Sequence, residues 1–191
     1  GHSSLIISEL VESGFIVHLP ILGKKNTAGY YRIADEYSMF YLNWIEGALD
    51  CSISGVDPDY WLKKQATQKW RSWSGFAFES VCLKHVAQIK NALGISAVST
   101  KEYSYSFDEA QIDLVIERAD NCINLCEIKY YNTEVIIKNS YAQKLNARKC
   151  LFSEQFKGKY TIFNTLLSIY GAKENSAYLS SIDNQLTVDV L

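Results

Sequence analysis

The sequence predicts an α/β sandwich, a mixed sheet flanked by helices, and three observations carry that prediction. A long helical pattern runs from about Tyr60 to Asn91. Two β-prone apolar runs, 111–117 and 122–131, sit close enough together to form a hairpin. A second helical pattern, near 138–153, separates that hairpin from strands near 159–169 and 185–190. A strand near 96–105 precedes the hairpin, so helix, three strands, helix and two strands follow one another.

The 191 residues suffice for one ordinary domain and a smaller appendage. A hydrophobic fraction of 48% argues against disorder. The net charge of −2 creates no global basic field, so any polyanion has to meet a local patch. Five cysteines form no CxxC pair and three histidines are scattered, so zinc-ligand spacings are absent. The thiols are expected to be reduced and mostly buried, in a cytoplasmic protein. No apolar run reaches the roughly 18 residues of a membrane span, and no signal peptide is visible.

Three parts are expected. Residues 1–49 form the appendage, with Gly1-His2-Ser3 reading as a cloning scar; 50–59 form a linker; 60–191 form the main domain. In "LIISELVESGF" (5–15) the apolar spacing is helical and Gly14 is a plausible C-terminal stop. "VHLPILGKKNTAGYYRIAD" reads as strand, polar turn, strand, with Gly23, Lys24, Lys25 and Asn26 in the turn. Asp35 can cap a helix through about Leu49 that turns Met39, Phe40 and Trp44 inward. A helix followed by a basic two-stranded wing is the back half of a winged helix, so the chain reads as a piece of a longer protein. "DCSISGVDPD" (50–59) is the linker candidate. The long helix that follows is expected to break near Ser74-Gly75.

The chemistry concentrates in "QIDLVIERADNCINLCEIKYY" (111–131). Alternate strand residues share a face, which groups Gln111, Asp113, Val115 and Glu117, and likewise Leu125, Glu127, Lys129 and Tyr131. Ile112, Leu114 and Ile116 then point the other way, with Cys126 and Ile128. A hairpin symmetric about Asp120 pairs positions that sum to 240: Leu114 with Cys126, Ile112 with Ile128, Gln111 with Lys129, and Asp113 with Glu127. Directly opposed carboxylates repel by about 3 kcal/mol at an effective dielectric near 20. Something must compensate them: a proton, the neighbouring Lys129, or a divalent cation. Hard oxygen ligands, with the Ile128 carbonyl completing the set, suit Mg²⁺ or Mn²⁺. Lys129 would then orient a water or stabilise charge on a phosphoryl group.

Glu79 in "FAFESVCLKHVAQI" falls on the apolar stripe Phe76, Cys82, Leu83, Val86, Ile89, and an inward carboxylate needs a partner. The alternative for the whole set is a structural Asp–Lys–Glu network. Further candidates carry two readings each. Lys144, Arg148 and Lys149 line a phosphate path or a solvated helix face, and Gln143 and Lys144 belong to an active-site helix or to the surface. Lys24 and Lys25 touch a DNA backbone or make a polar turn. Trp61, Trp70, Trp73 and Phe76 read as core rather than base-stacking platforms, and Cys82 with His85 as packing rather than metal ligands.

"WSGFAFESVCLKHVAQIKNALGI", "AQIDLVIERADNCINLCEIKYYN" and "SYAQKLNARKCLF" resemble the C-terminal region of a family of prokaryotic AAA-type P-loop ATPases. "YYRIADEYSMFYLNWIEG" resembles the segment that joins a winged helix to that region. The region is in turn similar to the PD-(D/E)XK restriction-endonuclease-like superfamily. The resemblance implies a metal-dependent nuclease fold in which Glu79 is the helix acid, Asp113 the second-strand acid, and Glu127 and Lys129 the E-x-K pair. Gln111 and Ile112 stand before Asp113 where the superfamily name has a proline. The resemblance implies Mg²⁺ or Mn²⁺ as cofactor. It implies DNA and an N-terminal ATPase domain of the same chain as partners, no membrane, and room for an oligomer. No G-x-x-x-x-G-K-[ST] occurs, so nucleotide hydrolysis is not expected of these residues. The alternative is a catalytically silent DNA-binding or regulatory module of the same ATPase.

Overall fold

The computed structural model describes residues 2–25, 28–49, 58–107 and 110–191. Most of the expected linker, 50–57, lies outside the described residues, as does Asn26 of the wing. The chain divides into two compact units, one of residues 1–19 and 29–77, the other of 20–28 and 78–191.

In the first unit, α1 (His2–Glu12) ends as the sequence predicts. Gly14 takes φ 78°, which lets Phe15 N–H reach the Leu10 carbonyl at 3.0 Å and Gly14 N–H the Val11 carbonyl at 3.0 Å. The strands β1 (Ile16–Pro20) and β2 (Gly29–Ile33) form a two-stranded sheet. Asp35 caps α2 (Glu36–Phe40) by accepting from Ser38 N–H at 2.6 Å. A π-helical turn (Tyr41–Ile45) and α3 (Glu46–Leu49) continue it. Segment 60–77, expected with the main domain, clusters here instead. The cause is aromatic packing: Trp44, 1% exposed, meets Trp70 at 5.2 Å and Trp73 at 5.8 Å, and Phe40 stacks on Trp61 at 5.3 Å.

The long helix breaks elsewhere than expected. It runs as α4 (Tyr60–Gln65), α5 (Gln68–Lys84) and α6 (Val86–Ala92), continuous through Ser74-Gly75. Thr67 starts α5, its hydroxyl accepting from Trp70 N–H at 3.2 Å. His85 separates α5 from α6, with ring Nδ1 2.7 Å from the Val81 carbonyl. The buried stripe keeps Cys82 and Ile89, with Leu83 and Val86 packed against the same cluster, and departs from the expected one at Phe76. Phe78, Cys82 and Ile89 are buried, whereas Phe76 is 61% exposed.

The second unit holds a five-stranded mixed sheet in the order β3 (Thr100–Phe107), β4 (Ala110–Arg118), β5 (Cys122–Lys129), β6 (Thr161–Ser168), β7 (Asn184–Thr187). The first three strands are antiparallel, and β5–β6 and β6–β7 are parallel. The crossover from β5 to β6 is α7 (Asn139–Gln155), as a parallel pair requires. A short α8 (Ser176–Leu179), which the sequence reading lacks, precedes β7. One sheet face packs on Phe78, Cys82, Ile89 and Ile95 of the α5–α6 side through Leu114, Ile116, Cys126 and Ile128. The other, with Ile112, Val115, Ile123 and Leu125, packs on Phe152 of α7. Ala142 and Leu145 of α7 cover Leu166. Helix layer, sheet and helix layer make the expected α/β sandwich.

Leu22 joins the α7-side cluster, and Ile21 bridges to Ser104, so the segment after β1 covers the outer edge of β3. Among the described residues no helix is long and apolar enough to cross a membrane.

Candidate active site

The hairpin register is the predicted one: Leu114↔Cys126, Val115↔Leu125, Ile116↔Asn124 and Glu117↔Ile123. Each pair sums to 240. Asn121, at φ 59°, makes the tight reversal next to Asp120, which Arg118 holds at 2.5 Å. The ladder stops at Leu114↔Cys126, although β4 continues to Ala110 and β5 to Lys129. Beyond that point, among the described residues, β4 pairs with β3 and β5 with β6. The two strands fork where Asp113 and Glu127 would next have met.

A bulge sits on the β4 arm of the fork. Tyr103 pairs with Val115 and Tyr105 with Ile112, so one β3 residue, Ser104, opposes two of β4, Asp113 and Leu114. This corrects the expected faces. Ile112 lies in the α7-side cluster with Val115 rather than with Leu114, Ile116 and Ile128. The alternation slips at Asp113, and that side chain is half-buried at the slip.

On the β5 arm Glu127 is 8% exposed and both of its oxygens are engaged. Oε1 accepts from the Tyr141 hydroxyl and pairs with Lys129 Nζ at 2.8 Å. Oε2 pairs with Arg148 Nη2 at 2.6 Å. Arg148 also sends Nη1 toward the Gln111 carbonyl, at 3.3 Å, and so spans the fork from β5 to β4. Tyr141 and Arg148 are seven residues apart on α7, two turns along one face, with buried Leu145 between them and Phe152 beyond. The sequence carried that signal: 141, 145, 148 and 152 form a single helical stripe that includes an arginine.

Burial alone would push the Glu127 carboxyl up. Arg148 first and Lys129 second, with hydrogen bonds from Lys129 and Tyr141, outweigh it and hold the carboxyl below its ordinary value. Burial and the Glu127 charge push the Tyr141 phenol up, so it stays protonated and donates. Lys129 is the more exposed of the two cations, its side chain 34% accessible against 13% for Arg148.

Glu79 is buried, as expected of an inward carboxylate. It lies one turn before the buried Cys82 on α5. Burial, with the Glu79 charge adding, pushes the Cys82 thiol up to about 12. Among the described residues no three His, Cys, Asp or Glu side chains form a group able to hold a metal ion. Glu79, Asp113 and Glu127 therefore do not assemble as a triad. Ile128 is buried with Cys126, opposite Glu127. Gln143 and Lys144 are exposed on α7, and Lys24 and Lys25 are exposed in the turn after β1. Arg148 is at the site itself, and Lys149 is paired with Asp183 at 2.9 Å.

No family model matches the chain, and no curated protein matches it. A solved structure that resembles it is the crystal structure of AF1548, a protein of unknown function. It is 19% identical with a TM-score of 0.37, over 53% of this chain and 55% of that one.

Proposed function

We propose that the second unit hydrolyses DNA phosphodiester bonds with the help of Mg²⁺ or Mn²⁺, as a restriction-endonuclease-like module of an AAA-type ATPase. The observation that carries the reading is the fork itself, where Glu127 and Lys129 lie side by side on the strand β4 has left. The order helix, three antiparallel strands, helix, parallel strand supports it.

The donor chemistry suits such an ion: hard carboxylate oxygens from Asp113 and Glu127, and the Ile128 carbonyl. A carboxylate offers about four lone-pair positions, and Glu127 has given three of them to Tyr141, Lys129 and Arg148. An ion at Glu127 would have to take the oxygen that Arg148 holds. When bound, the ion would polarise a phosphoryl oxygen and lower the pKa of a water. Lys129, the partly exposed cation, would orient that water or stabilise charge developing on the phosphate. Tyr141 holds Glu127 in place by its hydroxyl. Lys24, Lys25, Gln143 and Lys144 are the exposed groups that would meet the DNA backbone.

Plasmid cleavage with Mg²⁺ or Mn²⁺ tests this, comparing the wild type with Asp113→Ala and Lys129→Ala. Both variants should lose nicking; equal nicking by all three would refute the assignment.

One observation favours a second reading. Two cations already neutralise Glu127, so the fork is electrostatically balanced without a metal. A silent DNA-binding module would show affinity that falls steeply with salt and survives Glu127→Gln.

A further inference from the structure

We infer that Arg148 is the resident counter-cation of the fork, exchanged for the metal ion and then free to bind a phosphate. The inference rests on the metal reading above and names how that site is regulated.

Three observations converge on it. Arg148 Nη2 takes the Glu127 oxygen that Lys129 and Tyr141 leave open, and Nη1 reaches across to the Gln111 carbonyl of β4. The guanidinium thus plugs the gap between the strands that carry Asp113 and Glu127. A cation in that place repels a second one, so Arg148 and a divalent ion compete for one carboxylate.

The seat is also imperfect. Arg148 Nε is buried with no hydrogen-bond partner, and the contact to Gln111 is long. Buried donors are ordinarily satisfied. An arginine held only for structure would be expected to use that N–H. Leaving Glu127 therefore costs Arg148 less than leaving a fully bonded pocket would.

Finally, Arg148 is anchored on a helix rather than on the sheet. Its backbone is fixed in α7, two turns from Tyr141, and the bonds it makes to the two strands come from the guanidinium alone. On that helix Gln143 and Lys144 are already exposed. A guanidinium released there presents a planar fork suited to a phosphate.

Calorimetry with Mn²⁺ alone tests the exchange, on the wild type, Arg148→Gln and Arg148→Lys. Arg148→Gln should bind Mn²⁺ on the order of tenfold or more tighter, because the competing charge is gone. Arg148→Lys, which keeps the charge but cannot reach both strands, should fall between. Equal or weaker binding by Arg148→Gln overturns the exchange while leaving the metal reading standing. No Mn²⁺ binding by any of the three overturns both. Should Arg148→Gln not fold, the wild type decides. Saturating Mg²⁺ should shift the Arg148 Nε–H resonance and speed its exchange with water. An unmoved resonance at saturation overturns the proposal.

Discussion

Replacing Arg148 by Ala isolates the strongest contact of the fork. A charge-assisted hydrogen bond such as Arg148 Nη2 to Glu127 Oε2, at 2.6 Å, contributes about 1.5–3 kcal/mol. Breaking a buried ion pair from one side costs about 3–5 kcal/mol when the remaining charge is stranded. Glu127 is not stranded, since Lys129 at 2.8 Å and the Tyr141 hydroxyl stay on Oε1. The expected loss is therefore about 2–3 kcal/mol. With a urea slope of about 2 kcal/mol per molar, the midpoint should fall by about 1–1.5 M. Lys129→Ala should cost less, about 1 kcal/mol or below, because that pair is partly in solvent. Tryptophan fluorescence is the wrong probe, since Trp44, Trp61, Trp70 and Trp73 all lie in the first unit. Far-UV circular dichroism, with amide exchange of Cys122–Lys129 as local readout, reports on the second. A loss under about 0.5 kcal/mol, as for an ordinary surface substitution, would refute the buried bridge. So would a larger loss from Lys129→Ala.

Three other outcomes are expected. Tyr141→Phe should cost about 1 kcal/mol and raise the Glu127 pKa, measurable by carboxyl carbon NMR, because one donor to the ionised form is lost. Glu127 ionises more readily folded than unfolded, so its stabilising contribution is fully present above its ordinary value of 4.5. That contribution is lost as pH falls through the lower folded value, and acid unfolding of Arg148→Ala should show less of this loss. In native alkylation followed by peptide mapping, exposed Cys150 should react, whereas Cys82 and Cys126 should not. Both are buried, and burial pushes both thiols up.

The hairpin was legible in the sequence because its apolar and polar positions sort in one register only, and Asp120 and Asn121 mark the reversal. The bulge was not. "IDLVI" is buried on both faces of a central strand, and a strand apolar on both sides loses the alternation that would reveal a one-residue slip. The half-buried place of Asp113 at the slip was not readable either. The sequence places Glu127 and Lys129 together, with Lys129 among the groups that can compensate the carboxylate, but it does not show the second compensating cation. That cation is Arg148, which charge alone assigns to a solvated helix face. Only its phase with Tyr141, Leu145 and Phe152 puts it inward. The helix breaks followed the same lesson: Gly75 is a weak breaker inside a helix, whereas the side-chain cap at Thr67 and the ring contact at His85 are strong local events.

A crystal of the protein soaked in Mn²⁺ and measured at the manganese absorption edge tests the fork most directly. The expected result is an anomalous peak between the Asp113 and Glu127 carboxylates, with the Arg148 side chain turned away from Oε2. A map with no peak there, and Arg148 still bridging Glu127 to Gln111 at saturating Mn²⁺, would contradict the account.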